Sequence, residues 1–186
     1  MTTTAAASDR VRASVLVRVP QAEAFALFTE HIDAWWRRGL RFRHAGARAG
    51  LIHLEPRVGG RLFESFDIER GESSGVSGPS GPNERVVEVG RVLEWTPPRR
   101  LVFSWRSANF TPTQSTSVEV TFDVVHAGTM VTVVHSGWAG IPADHPVRHG
   151  QAVAAFLRTM GLWWGEQLGS LRLLARSATS GMPPPA

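Results

Sequence analysis

The sequence predicts an α+β fold in which a curved antiparallel sheet is closed by one long C-terminal helix, with two short helices after the first strand. Three observations support this prediction. Apolar and polar residues alternate in several segments with the period of two that is typical of half-buried strands. The pairs Gly59-Gly60 and Pro97-Pro98 interrupt these segments and mark sharp corners, because proline cannot donate to a strand ladder. The last part of the chain has a broad apolar stripe at helical spacing.

The first strand lies near the start of the chain and is followed by helical segments. From Val11 to Val19 the odd positions are apolar or small, which predicts a half-buried strand. Pro20 ends this strand and stands where a helix can begin. Residues 22–29 carry apolar side chains at helical spacings, and a second short helical segment over residues 31–38 contains the pair Trp35-Trp36.

Six further segments with the strand pattern fill the middle of the chain. They cover residues 48–54, 61–68, 84–95, 99–106, 115–125 and 129–136. The first two are expected to form a hairpin with its corner at residues 56–60. The last two are expected to form another hairpin, which turns at Ala127-Gly128.

A long helix is predicted from about residue 146 to residue 175, because apolar residues recur there in three- and four-residue steps. Gly161, Gly165 and Gly169 lie four residues apart on one side of it. Each glycine costs about 1 kcal/mol relative to alanine in a helix interior. We expect this cost to be offset by very close backbone approach to a neighbouring element.

The expected organisation is a single domain over residues 10–176. Residues 1–9 and 177–186 are expected to be disordered tails. Residues 71–83 are rich in glycine, serine and proline without the glycine pattern of a phosphate-binding loop, and are expected to form a flexible surface insert.

Composition limits the classes of function. The chain of 186 residues has no cysteine, which excludes disulfides, thiolate chemistry and cysteine-based metal sites. All 20 basic residues are arginine, yet the net charge is only +4, so nucleic-acid binding is not expected. We see no secretory leader and no apolar stretch of the length of a membrane span, which makes the cytoplasm the expected compartment.

Cofactor and metal signatures are also missing from the sequence. Nucleotide, haem and zinc-finger patterns are absent, and Ser136-Gly137-Trp138 does not complete a nucleophile elbow. His145 and His149 lie four residues apart, which is half of a metal site. Because Asp144-His145-Pro146 has the features of a helix N-terminus, we predict no metal site there. The absence of the cofactor motifs predicts no cofactor.

Five motifs in order along the chain carry a family resemblance. They are Trp35-Trp36, Glu55-Pro56-Arg57-Val58-Gly59-Gly60, the stretch from Gly90 to Leu101, Val131-Thr132-Val133-Val134-His135-Ser136-Gly137-Trp138, and Gly161-Leu162-Trp163-Trp164. Over residues 11–175 the chain resembles the SRPBCC superfamily, also called START-like or birch-pollen-allergen-like. Within it, the chain is similar to the branch homologous to the C-terminal domain of the activator of the heat-shock protein 90 ATPase. The resemblance implies a helix-grip fold whose sheet wraps the long helix and encloses a cavity for a hydrophobic small molecule, and it provides no universal catalytic residue.

Candidate ligand-binding residues follow from these patterns. A cavity bounded by a concave sheet needs apolar walls, and ligand sites are mostly lined by aromatic and apolar side chains. Core filling and cavity lining stay open for each of these residues, which are Trp36, Phe63, Phe103, Trp105, Trp138, Phe156, Met160 and Trp163.

Polar candidates are Glu55, Arg57 and His135. Glu55 and Arg57 share a strand face, and His135 shares one with Val131 and Val133. Polar groups among apolar neighbours must be paired or neutralised. Three roles stay open: an internal ion pair or structural hydrogen bond, a contact to the polar end of a ligand, or, for Glu55 or His135, a general base.

The preferred hypothesis is non-catalytic binding of a hydrophobic or amphipathic small molecule in an internal cavity. One alternative is an enzyme of the cyclase or hydrolase type that uses Glu55 and His135 as acid and base. Another is a protein-interaction module like the chaperone activators. A homodimer or a chaperone complex is left open as the protein partner.

Overall fold

The computed structural model describes residues 9–46, 50–67, 84–107 and 109–180. The predicted insert at 71–83 lies outside these residues, as do nearly all of the predicted N-terminal tail and residues 181–186 of the predicted C-terminal tail.

The described chain contains seven strands and three α-helices in the order that the sequence predicted. The strands are β1 (Val11–Val17), β2 (Gly50–Leu54), β3 (Arg61–Asp67), β4 (Glu84–Thr96), β5 (Arg100–Trp105), β6 (Thr116–Val125) and β7 (Gly128–Ser136). The helices are α1 (Gln21–Thr29), α2 (Ile32–Trp35) and α3 (Val153–Ser180), and single 3-10 turns occur at Trp138–Gly140 and Pro146–Arg148.

All seven strands form one antiparallel sheet in the order β1-β7-β6-β5-β4-β3-β2. Strands β2 to β7 follow one another as a meander, and β1 pairs with β7 from Val11 opposite His135 to Val17 opposite Thr129. Helix α3 packs against β1, α1 and α2. This curved sheet gripping a long helix is the helix-grip fold, so the predicted fold class is confirmed.

Register shifts in the sheet coincide with positions that need glycine. The β3–β4 pairing shifts between Leu62 and Phe63, and the β4–β5 pairing shifts between Val92 and Glu94. Between these shifts, a Cβ atom on Gly90 would lie 1.7 Å from the Ser104 carbonyl oxygen. Because the backbones of β4 and β5 approach so closely there, only glycine fits, and such irregularities bend strands and increase their twist.

The predicted corner at residues 56–60 is confirmed as the β2–β3 connection. Gly59 has a φ of +78°, a backbone conformation that glycine adopts at no steric cost. A Cβ atom on Gly60 would lie 2.4 Å from the Glu55 carbonyl oxygen. The Gly-Gly pair therefore permits a turn that other residues would obstruct. The Pro97-Pro98 pair lies in the β4–β5 turn and has a cis peptide bond.

The predicted bounds of the long helix were wrong at both ends. Pro146 opens a single 3-10 turn, in which the His145 side chain accepts a hydrogen bond from the Val147 backbone N–H. His149 and Gly150 then adopt φ of 48° and 70°, which breaks the helical path, and α3 begins only at Val153. It continues to Ser180, so residues 177–180 are helical rather than part of a disordered tail.

The expected close approach at the helix glycines holds at one of the three positions. A Cβ atom on Gly161 would lie 3.2 Å from Cγ2 of Val11, a tight contact with β1. Among the described residues, apart from the adjacent turns of α3 itself, no atom lies within 4 Å of a Cβ atom on Gly165 or Gly169. The expectation is therefore wrong for Gly165 and Gly169, because the helix surface around them is open.

The core lies between the sheet and α3. Most inward residues of β5, β6 and β7 are buried and apolar, and Trp164 and Leu168 of α3 belong to the same hydrophobic cluster. None of the helices in the described ranges combines the length and apolar character needed to cross a membrane.

Candidate functional site

A cavity of about 290 Å³ lies between α3 and the concave face of the sheet. Each of strands β2 to β5 contributes to it, as do the segment after α2 and the segment between β7 and α3. Its lining residues are Trp36, Arg41, Phe42, Arg43, His44, Ile52, Leu62, Glu64, Val89, Trp105, Ser107, Trp138, Val147, His149, Phe156, Thr159, Met160 and Trp163.

Three tryptophans form one continuous wall of the cavity. The rings of Trp36 and Trp105 stack with centroids 5.7 Å apart. Trp163 meets both rings edge-on, with each centroid distance 5.8 Å. The indole N–H of Trp36 donates to the Phe42 carbonyl at 3.0 Å, and that of Trp163 donates to the Arg41 carbonyl at 2.9 Å. These hydrogen bonds fix two of the rings and satisfy their polar atoms, which leaves apolar ring surface for the cavity.

A second aromatic wall comes from Trp138 and Phe156. Their ring centroids are 4.7 Å apart in an edge-to-face arrangement. Trp138 is buried, and its indole Nε1 has no hydrogen-bond partner in the part of the chain that the structure describes. A buried donor without an acceptor is costly, and such atoms in native structures call for an explanation.

The polar part of the cavity wall is built around Glu64. In β3 the inward residues are Leu62, Glu64 and Phe66, so this acidic side chain occupies a position in the apolar phase of the strand. It is 1% exposed. Its Oε2 accepts the His44 backbone N–H at 2.6 Å. Its Oε1 has no hydrogen-bond partner in the described ranges.

Among the ion pairs of the described residues, the cation nearest to Glu64 is Arg43, and its hydrogen bonds go to other groups. Arg43 Nη1 lies 4.0 Å from Glu64 Oε1, which exceeds hydrogen-bond distance. The same nitrogen donates to Asp33 Oδ1 at 2.7 Å, and Nη2 donates to the Trp36 carbonyl at 2.6 Å. Burial alone would raise the pKa of Asp33, but hydrogen bonds from the Ile52 N–H and from Arg43 hold it below its usual range. Asp33 therefore carries the negative charge that pairs with Arg43.

His44 lies beside this carboxyl group and contributes little positive charge. Burial lowers the pKa of His44, and Arg85 lowers it further, against the opposing effect of Glu64. The ring is therefore neutral at pH 7. The polar wall thus has an acceptor oxygen that no described side chain satisfies.

Six of the sequence-predicted site residues lie in the cavity wall: Trp36, Trp105, Trp138, Phe156, Met160 and Trp163. Five others do not line it: Glu55, Arg57, Phe63, Phe103 and His135.

Glu55 and Arg57 belong to the β2–β3 corner. Glu55 accepts hydrogen bonds from Arg61, at 2.8 Å from Nη2 and 2.9 Å from the backbone N–H. These bonds lower the pKa of Glu55 to about 2. The Arg57 side chain is 72% exposed and lies 3.5 Å from Glu55. Both residues thus form a surface ion-pair cluster outside the cavity, because the turn carries them away from the concave face.

Phe63 and Phe103 are outside the cavity for different reasons. Phe63 lies on the opposite face of β3 from Leu62 and Glu64, where its ring stacks on His53 at 4.8 Å and under the Arg61 guanidinium at 4.5 Å. Phe103 is 2% exposed and is part of the hydrophobic core.

His135 stands behind the aromatic walls. Its ring lies 4.7 Å from the Trp138 ring and 6.1 Å from the Trp105 ring. Its Nδ1 accepts the Trp164 indole N–H at 3.1 Å, and its Nε2 lies 2.8 Å from the Thr116 hydroxyl. These partners are separate from those of Glu55, so the structure does not bring together the acid–base pair that the sequence analysis considered.

His145 and His149, the pair considered as half of a metal site, have separate surroundings. His145 uses both ring nitrogens locally, with Nε2 3.2 Å from the Asn109 carbonyl and Nδ1 accepting the Val147 N–H. His149 lies after the 3-10 turn and lines the cavity. Within the described ranges, no three residues of the types His, Cys, Asp and Glu come together as a metal-binding group.

The polar wall is not among the features predicted from the sequence. Glu64, Arg43 and His44 are absent from the predicted site, although Leu62-x-Glu64-x-Phe66 places an acid in phase with two apolar residues. That interruption of the strand pattern was the available signal.

Solved structures of three bacterial proteins show the same fold. MLL2253 from Mesorhizobium loti is 17% identical with a TM-score of 0.54, over 88% of this chain and 93% of that one. NE0264 from Nitrosomonas europaea is 16% identical with a TM-score of 0.56, over 92% and 96%. SA2116 from Staphylococcus aureus, described as a protein of unknown function, is 12% identical with a TM-score of 0.62, over 92% and 95%. At these identities the likeness concerns the fold alone.

A comparison with curated proteins gives no match. A family model does match, and it covers residues 18–172, from the end of β1 through most of α3. The match includes every residue that lines the cavity. The chain therefore belongs to the family described as activator of Hsp90 ATPase homolog 1-like protein.

Proposed function

We propose that this protein binds a small hydrophobic or amphipathic molecule in the cavity between α3 and the sheet, without catalysing a reaction. The observation that carries the proposal is the cavity wall itself, in which four tryptophans surround a space of about 290 Å³. This volume is just below the range of roughly 300–1,000 Å³ that is usual for small-molecule sites.

The chemistry of the wall supports an amphipathic guest. Aromatic rings offer apolar surface whose removal from water favours binding. Glu64 and Trp138 each add one buried polar atom without a hydrogen-bond partner among the described residues. A ligand with a small polar group on an apolar body would match both features.

The two alternatives have less support. The enzyme hypothesis relied on Glu55 and His135, whose hydrogen-bond partners are separate. The family description keeps a chaperone-activating interaction as the second candidate. That function would need an exposed protein-binding surface and would not depend on an open cavity.

A cavity-filling variant tests the proposal with naphthalene as the probe. Met160 lines the cavity, whereas Leu162 is two residues further along α3 and is 69% exposed. A ligand that binds the folded state raises the melting temperature. We expect naphthalene to raise the Tm of the wild-type protein and of the control variant Leu162→Trp, but not that of Met160→Trp, in which the indole fills the cavity.

Differential scanning calorimetry with and without naphthalene measures these shifts. An equal shift in Met160→Trp would place the binding site elsewhere. The absence of any shift in the wild-type protein would contradict the proposal and favour the protein-interaction alternative.

A further inference from the structure

The unpartnered oxygen of Glu64 points to a specific class of ligand. Resting on the proposed function, we propose that Glu64 Oε1 accepts a hydrogen bond from the polar end of the ligand. The ligand would therefore be an aromatic or aliphatic molecule that carries a hydroxyl or amine donor, with its apolar body between Trp36, Trp105 and Trp163.

Glu64 Oε1 needs a hydrogen-bond donor. Glu64 is buried on the inward face of β3 and lines the cavity. A buried acceptor without a donor costs free energy comparable to a lost hydrogen bond, and more when the group is charged. The only backbone donor that the described structure gives to this side chain, the His44 N–H, is bound to the other oxygen.

Arg43 is not the missing donor. Its Nε donates to the Arg37 carbonyl, its Nη1 to Asp33, and its Nη2 to the carbonyls of Asp33 and Trp36. These bonds hold the guanidinium 4.0 Å from Glu64 Oε1. Arg43 thus contributes an attractive charge at a distance but no hydrogen bond.

Glu64 Oε1 lies in the wall of the cavity opposite the tryptophans. Leu62 and Ile52, on β3 and β2, lie on the same wall as Glu64, and the tryptophan wall lies on β5, α3 and the segment after α2. One polar atom in a mostly apolar wall fixes the orientation of a ligand. It also discriminates strongly, because a ligand that cannot supply the hydrogen bond leaves the buried group unpaired.

Three probes of similar shape test this inference: naphthalene, 2-naphthol and 2-methoxynaphthalene. Methylation of 2-naphthol removes its donor and keeps its oxygen. A hydrogen bond to a buried acceptor that is otherwise left unpaired is strong enough to give about a tenfold preference. We expect the wild-type protein to bind 2-naphthol at least about tenfold more tightly than 2-methoxynaphthalene, as measured by ligand-observed NMR titration.

Variants assign the preference to Glu64. In Glu64→Met the side chain keeps a similar length and loses its acceptor, so we expect the preference for 2-naphthol over 2-methoxynaphthalene to disappear. Glu64→Gln keeps one oxygen and should retain part of the preference. Glu88→Met, at an exposed position of the partner strand β4, is the matched control and should retain all of it.

The outcomes separate this inference from the proposed function. Equal affinity of the wild-type protein for 2-naphthol and 2-methoxynaphthalene, with naphthalene also bound, overturns the inference and leaves the proposed function standing. A preference that persists in Glu64→Met also overturns it. If none of the three probes binds, the proposed function is contradicted and the inference falls with it. If Glu64→Met does not fold, equal affinities in the wild-type protein still overturn the inference, and a reduced preference in Glu64→Gln still assigns the hydrogen bond to Glu64.

Discussion

His135 has its ring tautomer fixed by its neighbours. An indole nitrogen can only donate, so the 3.1 Å contact from Trp164 Nε1 makes His135 Nδ1 an acceptor. The proton of the neutral ring is therefore on Nε2, which donates to the Thr116 hydroxyl at 2.8 Å. Protonation of the ring would place two donors opposite each other. Burial also disfavours the charged form and lowers the pKa of His135 to about 3.

This arrangement predicts a pH dependence of stability. The unfolded chain takes up a proton on this residue near pH 6.5, and the folded protein does so only near pH 3. Between these values the unfolded state binds more protons, so the contribution of His135 is fully present above pH 6.5 and is lost as the pH falls toward 3. The slope in this window is at most about 1.4 kcal/mol per pH unit.

Urea denaturation of the wild-type protein and of His135→Gln at pH 7.5 and pH 4.5 measures the effect. The variant should be less stable at pH 7.5 because two buried hydrogen bonds are disturbed, by roughly 1–3 kcal/mol. It should also lose less stability on acidification than the wild-type protein does. Identical losses in the two proteins would show that His135 titrates normally in the folded state.

At the scale of elements, identical residues have opposite structural roles. Gly90 permits the backbones of β4 and β5 to meet, since its missing Cβ would lie 1.7 Å from a carbonyl oxygen. Gly165 lies on an open surface of α3 and has no such contact. Glycine in a helix interior is unfavourable by itself, so Gly165 contributes a cost that its surroundings do not offset.

The two glycines therefore predict changes of opposite sign. Gly165→Ala should raise the unfolding free energy by about 0.5–1 kcal/mol, because alanine favours the helix and restricts the unfolded chain. Gly90→Ala should be strongly destabilising or prevent folding. The added methyl group would clash with the backbone carbonyl of Ser104, which cannot move unless β4 and β5 separate. Thermal unfolding of both variants checks this. A lower Tm for Gly165→Ala would mean that the helix surface is covered after all.

At the scale of the whole molecule, strand and helix order was predictable because hydrophobic period and corner residues are local signals. The choice of inward face was less predictable. Arg61-Leu62-Phe63-Glu64 has an apolar residue in each phase, so the pattern does not decide whether Leu62 or Phe63 points inward, and Phe63 was the predicted wall residue. The structure instead turns Leu62 and Glu64 inward.

The predictions of the polar site and of the start of the long helix were wrong because both features depend on how the chain packs in three dimensions. Glu55 is beside the glycine corner that the sequence marks clearly, yet that corner lies at the surface, and the polar wall of the cavity is nine residues further on at Glu64. The signals at Asp144-His145-Pro146 do open a helical turn, but the turn ends at His149 and Gly150 before α3 begins. Residue spacing alone predicts neither the surface position of the glycine corner nor the break before α3.

The central claim, a cavity that holds a donor-bearing apolar molecule, is tested most directly by a crystal structure of the protein grown with 6-bromo-2-naphthol. Anomalous scattering from bromine locates the ligand without reference to the protein coordinates. The account predicts a bromine peak among Trp36, Trp105 and Trp163, with the hydroxyl oxygen within hydrogen-bond distance of Glu64 Oε1. A fully occupied ligand outside the cavity, or side chains that fill the interior between α3 and β3, would contradict it.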